Sequence, residues 1–365
     1  MKIDHIHFFV EDAIGKRNWF IQYLGWKSVR QATLPDRDLE ILCYRDTYFV
    51  LSSPRTSDSP VAEYLHNHAS GVVDVAFVVK DISVFLNRLN SIPKSIKNHP
   101  SYQTVGKLTF PSMELLPALS EIAHVTNQPQ PDQWAYVSGW GGVNHLLIER
   151  RLPSEKTPEY SINAIDHIVL NVPKGELQDA VEFYEVFLGL QRQQNFKIQT
   201  EKSGLWSQVL YEPESQFYFN INEPTSVNSQ IQDFLNINHG AGIQHIALNS
   251  QPIIKTVDTL RQKGLPLLSV PIAYYQNLQE RIQDNEMFAH QIRDEWQQIV
   301  DLKILIDWNP DTPYSLLLQI FSMPIFSNSL FFFEFIERRR DIKGFGENNF
   351  LALYKAIEAE STQIT

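Results

Sequence analysis

The sequence predicts an α+β protein made of two tandem halves, copies of one unit, each a pair of strand–helix–strands modules. Three observations carry that prediction. Four stretches recur in the same order, short apolar alternations flank amphipathic helical patterns, and strict βαβ alternation is absent, so the strands are expected to pair mostly antiparallel. Ile3-Asp4-His5-Ile6 returns as Ile165-Asp166-His167-Ile168, an offset of 162. WFIQYLGW from Trp19 returns as FYEVFLGL from Phe183, HASGVVDVAF from His68 as HGAGIQHIAL from His239, and LIERR at 147–151 as FIERR at 335–339. These offsets are 164, 171 and 188. Slow growth in the offset describes one duplicated unit whose second copy carries insertions.

The first copy opens on a strand over 5–10 and a helix over 13–24 closed by Gly25; the second opens on a strand over 168–172 and a helix over 175–188 closed by Gly189. A second strand–helix unit follows in each, VDVAFVVKD with ISVFLNRLN and QHIALNS with PIIKTVDTLRQKG. The polar, two-proline stretch LPSEKTPEY at 152–160 reads as a linker. The expected domains are therefore 1–151, a linker over 152–162, and 163–365. A last helix over 348–360 carries Phe350, Leu351, Leu353, Tyr354 and Ile357 on one stripe, with Asn348 or Asn349 as N-cap and Gly346 as hinge.

Composition narrows the function. A chain of 365 residues exceeds one ordinary core, and 43% hydrophobic with 20% charged residues excludes a disordered one. Lys and Arg number 31 against 42 acidic residues, a net charge of −11 that lacks the electrostatic footprint of a nucleic-acid binder. The basic run Arg338-Arg339-Arg340 reads as a solvated turn. A single cysteine, Cys43, excludes an intramolecular disulfide and a cysteine-based metal cluster, and reads as a small buried hydrophobe. The start does not read as a signal peptide, and the greasiest stretch, 321–336, is too short and too interrupted for a bilayer. A cytoplasmic protein with no membrane partner is expected; the oligomeric state, homo-oligomer included, stays open.

Aligning the copies exposes the chemistry. His167 falls on His5, His245 on Asp74 and Glu334 on Leu146, so only the second copy has two histidines and a carboxylate at these positions. Two histidines and one carboxylate on a face leave adjacent coordination positions open, an arrangement suited to non-haem Fe(II) and O2. Zinc hydrolases also use two histidines and a glutamate, but usually from His-Glu-x-x-His on a helix, a string absent here. A lone histidine on a strand is ordinarily structural. Glu334 among apolar neighbours is not, because an unpaired buried carboxylate is costly. His66 and His68 gain no support from the repeat and read as a solvated loop.

At these residues the chain resembles the 4-hydroxyphenylpyruvate dioxygenase family of the vicinal-oxygen-chelate superfamily. The strings are IDHIVLNVP at 165–173, SGLWS at 203–207, INEP at 221–224, SQIQ at 229–232 and GAGIQHIAL at 240–248. YYQNL at 274–278, LLLQIF at 316–321, FFEFIER at 332–338 and GFGENNF at 344–350 continue them, and VNHLLIERR at 143–151 extends the likeness to the first half. The resemblance implies a glyoxalase-like fold of paired βαβββ modules, with the metal in a half-open barrel of the C-terminal half. It implies one Fe(II) per chain on His167, His245 and Glu334, with 4-hydroxyphenylpyruvate chelating through its 2-oxo acid, O2 as co-substrate, and homogentisate and CO2 as products of tyrosine breakdown. It assigns Ser207, Asn222, Gln230 and Gln319 to the polar lining that orients the substrate, Gln244 to a place beside a ligand, and Phe321, Phe345 and Phe350 to aromatic walls. Trp206 beside Ser207, the charged stretch 338–343 and the phenylalanine-rich run 327–333 depart from the family pattern and bear on substrate access.

Three other functions compete. A 4-hydroxymandelate synthase shares metal, substrate and fold but hydroxylates the benzylic carbon; the resemblance places Phe332 on the dioxygenase side, since the synthase tends toward an aliphatic there. An extradiol catechol dioxygenase shares the ligand set but not the strings at 240–248, 316–321 and 344–350. A metal-free binding protein would be expected to lack the triad.

Overall fold

The computed structural model describes residues 1–350 except 46, 100, 102–107, 110–132, 150–163, 201–202, 284–289, 291, 309–314 and 341. The first half forms β1 (Lys2–Phe9), β2 (Lys27–Thr33), β3 (Arg37–Tyr44), β4 (Thr47–Pro54), β5 (Gly71–Val79), β6 (Leu108–Thr109), β7 (Gln133–Ser138) and β8 (Asn144–Glu149). The second forms β9 (Ile165–Asn171), β10 (Gln191–Gln199), β11 (Gly204–Glu212), β12 (Phe217–Pro224), β13 (Gly242–Asn249), β14 (Leu305–Trp308), β15 (Leu316–Phe321) and β16 (Phe332–Arg339). Their sheet orders are β2-β3-β4-β1-β5-β8-β7-β6 and β10-β11-β12-β9-β13-β16-β15-β14. Adding eight to every strand of the first order gives the second, so the duplication read from sequence is a duplication of topology. Within each sheet two pairs are parallel, β1–β4 and β5–β8, then β9–β12 and β13–β16, and the other pairings are antiparallel. The predicted α+β class follows.

Helices pack against both sheets. Leu177–Leu188 buries Leu177, Ala180, Val181, Tyr184, Phe187 and Leu188, the three-and-four spacing of an amphipathic stripe, and ends on Gly189 at φ 74°. Its counterpart begins at an Asp12 N-cap and runs over Ala13–Trp19, but its last turn, Phe20–Leu24, widens to a π-helix before Gly25 at φ 71°. One apolar core joins the halves. Phe331 meets Phe8 at 5.3 Å and Phe333 meets Trp26 at 5.8 Å, so alternate residues of the phenylalanine-rich run enter the shared core. Each such ring contributes about 1.5–3 kcal/mol by its burial. His145, fully buried on β8, has its ring nitrogens 3.1 Å from Val75 O and 3.0 Å from the Tyr184 hydroxyl of the second half.

Three local readings are corrected. Cys43 is half-buried, not buried, and its thiol lies 3.2 Å from Arg45 O. His66 is exposed in the last turn of the helix Pro60–Asn67, while His68 is half-buried, stacks on Tyr64 and meets Asn238 O at 2.9 Å, so the pair is not a solvated loop. Arg338 and Arg339 close β16 as paired side chains and are not a solvated turn. The linker expected at 152–162 lies outside the described residues. Among the described residues, no helix is long and apolar enough to cross a membrane.

Candidate metal centre and its chamber

Strand register builds the site. Ala247 on β13 lies between His167 on β9 and Glu334 on β16, and His245, two residues earlier on β13, shares its face. A methyl group at the centre leaves room for the flanking side chains to converge. His167 Nε2 is 3.1 Å and His245 Nε2 3.7 Å from Glu334 Oε2, and one ligand atom from each residue lies within 4.8 Å of the others. All three are buried. In the first half the same positions hold His5, Asp74 and Leu146, and His5 Nε2 is 3.9 Å from Asp74 Oδ2.

The site fits a cation. Glu334 is 1% exposed, and its Oε1 is buried with no hydrogen-bond partner, as is His245 Nδ1. Burial works against a proton on His167, but Glu334 and then Asp166 outweigh it and push its pKa up to about 9. Burial, then the neighbouring His167, drives His245 the other way, well below the ordinary histidine range. One positive charge is thus wanted beside Glu334, and an N, N, O donor set accepts it from a divalent ion.

Behind His167 stands a second layer that sequence reading passed over. His167 Nδ1 is 2.9 Å from Asp166 Oδ1, and Arg338 grips the same carboxylate through Nε at 2.7 Å and Nη2 at 2.8 Å. Burial opposes ionisation of Asp166, yet Arg338 holds its carboxyl well below the usual carboxylate range. Asp166 therefore stays an acceptor for the Nδ1 proton of His167, which leaves Nε2, on the Glu334 side, as the nitrogen that can ligate a metal.

The histidines open on a chamber of about 50 Å³ lined by Val169, Phe196, Ile198, Leu205 and the predicted Ser207, Asn222, Gln230, Gln244, Phe332, Phe345 and Phe350. A neighbouring cavity of about 250 Å³ is lined by Phe321, Leu268, Met323 and Leu330 and shares Gln230, Gln244, Phe332 and Phe350 with the first. Gln244 and His245 are consecutive yet line one chamber because the β13 register slips between Ile243 and His245. Ser207 Oγ, Gln319 Nε2, Asn220 Oδ1 and Asn171 Nδ2 are buried without partners. Asn171 and Asn220 were missed; they share the face of His167, at two-residue steps along β9 and across β12, a signal that alternation alone carries. Gln319 lines neither cavity and instead meets the C-terminal segment. Phe332 stacks on His245 at 4.7 Å, and Phe345 stands edge-on to His167 at 5.1 Å. Trp206 is 39% exposed on the opposite face of β11 from Ser207, so it does not obstruct the chamber.

The closing helix begins at Glu347, earlier than an Asn348 or Asn349 cap requires. Those side chains act as tethers. Asn348 Nδ2 donates to Asp307 Oδ1 at 2.9 Å, Asn349 Nδ2 donates to Gln319 Oε1 at 3.3 Å, and the Tyr274 hydroxyl donates to Asn349 Oδ1 at 2.7 Å. Gly346, at φ 77°, packs so closely on Gln319 that a β-carbon there would collide with its amide. The stripe from Leu351 onward lies outside the described residues.

Residues 164–296 match the model of the Glyoxalase/Bleomycin resistance protein/Dioxygenase superfamily. An uncharacterized protein, slr0090, of Synechocystis sp. is 32% identical over 100% of this chain and 99% of its own. The 4-hydroxyphenylpyruvate dioxygenase of Caenorhabditis briggsae is 29% identical over 99% of this chain and 92% of its own. A solved structure of a substituted 4-hydroxymandelate synthase from Streptomyces coelicolor superposes with a TM-score of 0.76 over 99% of both chains; at 22% identity it speaks for the fold alone.

Proposed function

The chain belongs to the 4-hydroxyphenylpyruvate dioxygenase family, and on that premise we propose that it converts 4-hydroxyphenylpyruvate and O2 to homogentisate and CO2. One Fe(II) per chain would be held by His167, His245 and Glu334, all within 163–365, while residues 1–151 back β16 with their aromatic core. The observation that carries the reading is the orphaned Glu334 Oε1 in a buried cluster with two histidines that opens on a polar-floored chamber. Iron bound there would supply the redox chemistry that joins O2 to an organic substrate and would leave positions for a bidentate 2-oxo acid.

The chain's own groups do the rest. Ser207 and Asn222, paired across β11 and β12, together with Gln230 and Gln244, offer hydrogen bonds that set the substrate's direction in the chamber. Gln319 supports that lining through the C-terminal segment. Phe345 and Phe350 exclude water, and Phe321 and Phe332 wall the approach. The reaction balances with one O2 oxygen on the ring and the other in the new carboxylate, as the old carboxylate leaves as CO2. Phe332, stacked over His245, supports ring attack over benzylic attack by filling space beside the ligand.

The test is product analysis. The chain is loaded anaerobically with Fe(II), exposed to 4-hydroxyphenylpyruvate in air, and its products are separated by chromatography. Homogentisate is expected. 4-Hydroxymandelate would reassign it as a synthase, and rapid turnover of catechols in place of either would make it an extradiol enzyme.

A further inference from the structure

We infer that Arg338 is a positioning residue that ties the orientation of His167 to the seating of the C-terminal segment. This inference rests on the metal reading of His167.

Every nitrogen of the guanidinium is committed. Nε and Nη2 hold both oxygens of Asp166, while Nη1 donates to Ile342 O at 3.1 Å and to Gly344 O at 2.6 Å. The group also lies 5.1 Å from the Phe345 ring and 5.3 Å from that of Tyr218. Phe345 in turn meets His167 edge-on, and Asp166 holds His167 by Nδ1. Arg338, Asp166, His167 and Phe345 therefore close a ring of contacts, half of it behind the histidine and half on the segment that covers the chamber. One strand supplies both ends of the link, because Glu334, Ile336 and Arg338 alternate onto one face of β16.

The fork geometry matters. A lysine would keep the charge but could not span two carboxylate oxygens and two carbonyls at once. When the segment holding Gly344 leaves, Arg338 loses its Nη1 acceptors and its ring partner, and Asp166 is gripped less firmly. A metal on His167 should then favour the seated segment, and a seated segment should favour the metal.

The experiment uses the full chain. Apoprotein is titrated with Co(II) against a competing chelator, and limited proteolysis within 341–350 is followed with and without saturating Co(II). Arg338→Lys should weaken Co(II) about 10–100-fold and abolish the protection that Co(II) gives the segment in the unsubstituted chain. Asp166→Asn should weaken Co(II) similarly, and adding Arg338→Lys to it should cost little more, since both act through one carboxylate. Unchanged Co(II) affinity in Arg338→Lys, full protection in that variant, or additive losses in the double variant would overturn the inference. If Arg338→Lys does not fold, the isosteric Asp166→Asn decides alone: unchanged affinity and unchanged protection overturn it, and loss of both upholds it. Failure of the unsubstituted chain to bind Co(II) at all would instead sink the metal reading itself.

Discussion

His5 and His167 occupy the same place in the two sheets, and each has an aspartate on its Nδ1, at 2.8 and 2.9 Å. What separates them is the rest of the set: Asp74 and Leu146 beside one, His245 and Glu334 beside the other. His245→Ala or Glu334→Ala should therefore lose metal and turnover together, because two remaining ligands do not hold the facial geometry, while His5→Ala should keep both. Metal analysis of purified variants checks this, and two metal ions per chain, or metal loss on changing His5, would refute it. The same comparison explains what sequence reading caught and missed. His245 and Glu334 differ between the copies, standing against Asp74 and Leu146, and are legible for that reason. Asp166 matches Asp4, and Arg338 matches Arg150, so a difference between copies does not reveal the pair behind His167.

Two elements set what the chamber can do. At the start of β16, alternation sends Phe333, after Phe331 just before the strand, into the core shared with the first half and turns Phe332 and Glu334 toward the site. The phenylalanine run that looks anomalous in sequence is a turn leading into β16, with its rings divided between the shared core and the site. Because Phe332 covers a face of His245 without ligating, Phe332→Ile should shift the product ratio toward benzylic hydroxylation while metal content stays near that of the unsubstituted chain. Chromatography beside metal analysis reads both, and unchanged pure homogentisate would remove Phe332 as the discriminating residue. The second element is the segment from Glu347. Its start was misplaced in sequence because asparagines are good caps, and nothing local says that Asn348 and Asn349 are spent on Asp307, Gln319 and Tyr274. Removing 347–365 should leave a folded chain that still loads metal, since the three proposed ligands and the Ile342 and Gly344 carbonyls that Arg338 holds all lie upstream. Turnover should fall at least about tenfold as water enters the chamber, and more O2 should be consumed per homogentisate formed. Circular dichroism and an oxygen electrode separate the cases: unfolding would make the segment core, and full coupled activity would make it neither core nor lid.

Across the whole molecule, the duplication announced two sheets but not how they meet, because a repeat fixes what each copy is and leaves their mutual placement to side chains. The meeting is one core, and inside it His145 bridges Val75 of its own half and Tyr184 of the other. Burial pushes the pKa of His145 down to about 4, so the folded chain keeps it neutral where an unfolded chain, near 6.5, takes up a proton. The unfolded state therefore binds more protons as pH falls. The stability that His145 contributes is complete above about 6.5 and declines as pH drops through the window down to about 4, a loss of roughly 3 kcal/mol at most. His145→Gln cannot titrate. It should start less stable at pH 8, having traded a fitted ring for an amide beside Tyr184, yet lose less melting temperature than the unsubstituted chain between pH 7 and pH 4.5. Thermal melts at the two pH values test the claim. Parallel declines in both proteins would show that acid destabilisation enters elsewhere, and that the bridge between the halves is insensitive to protons.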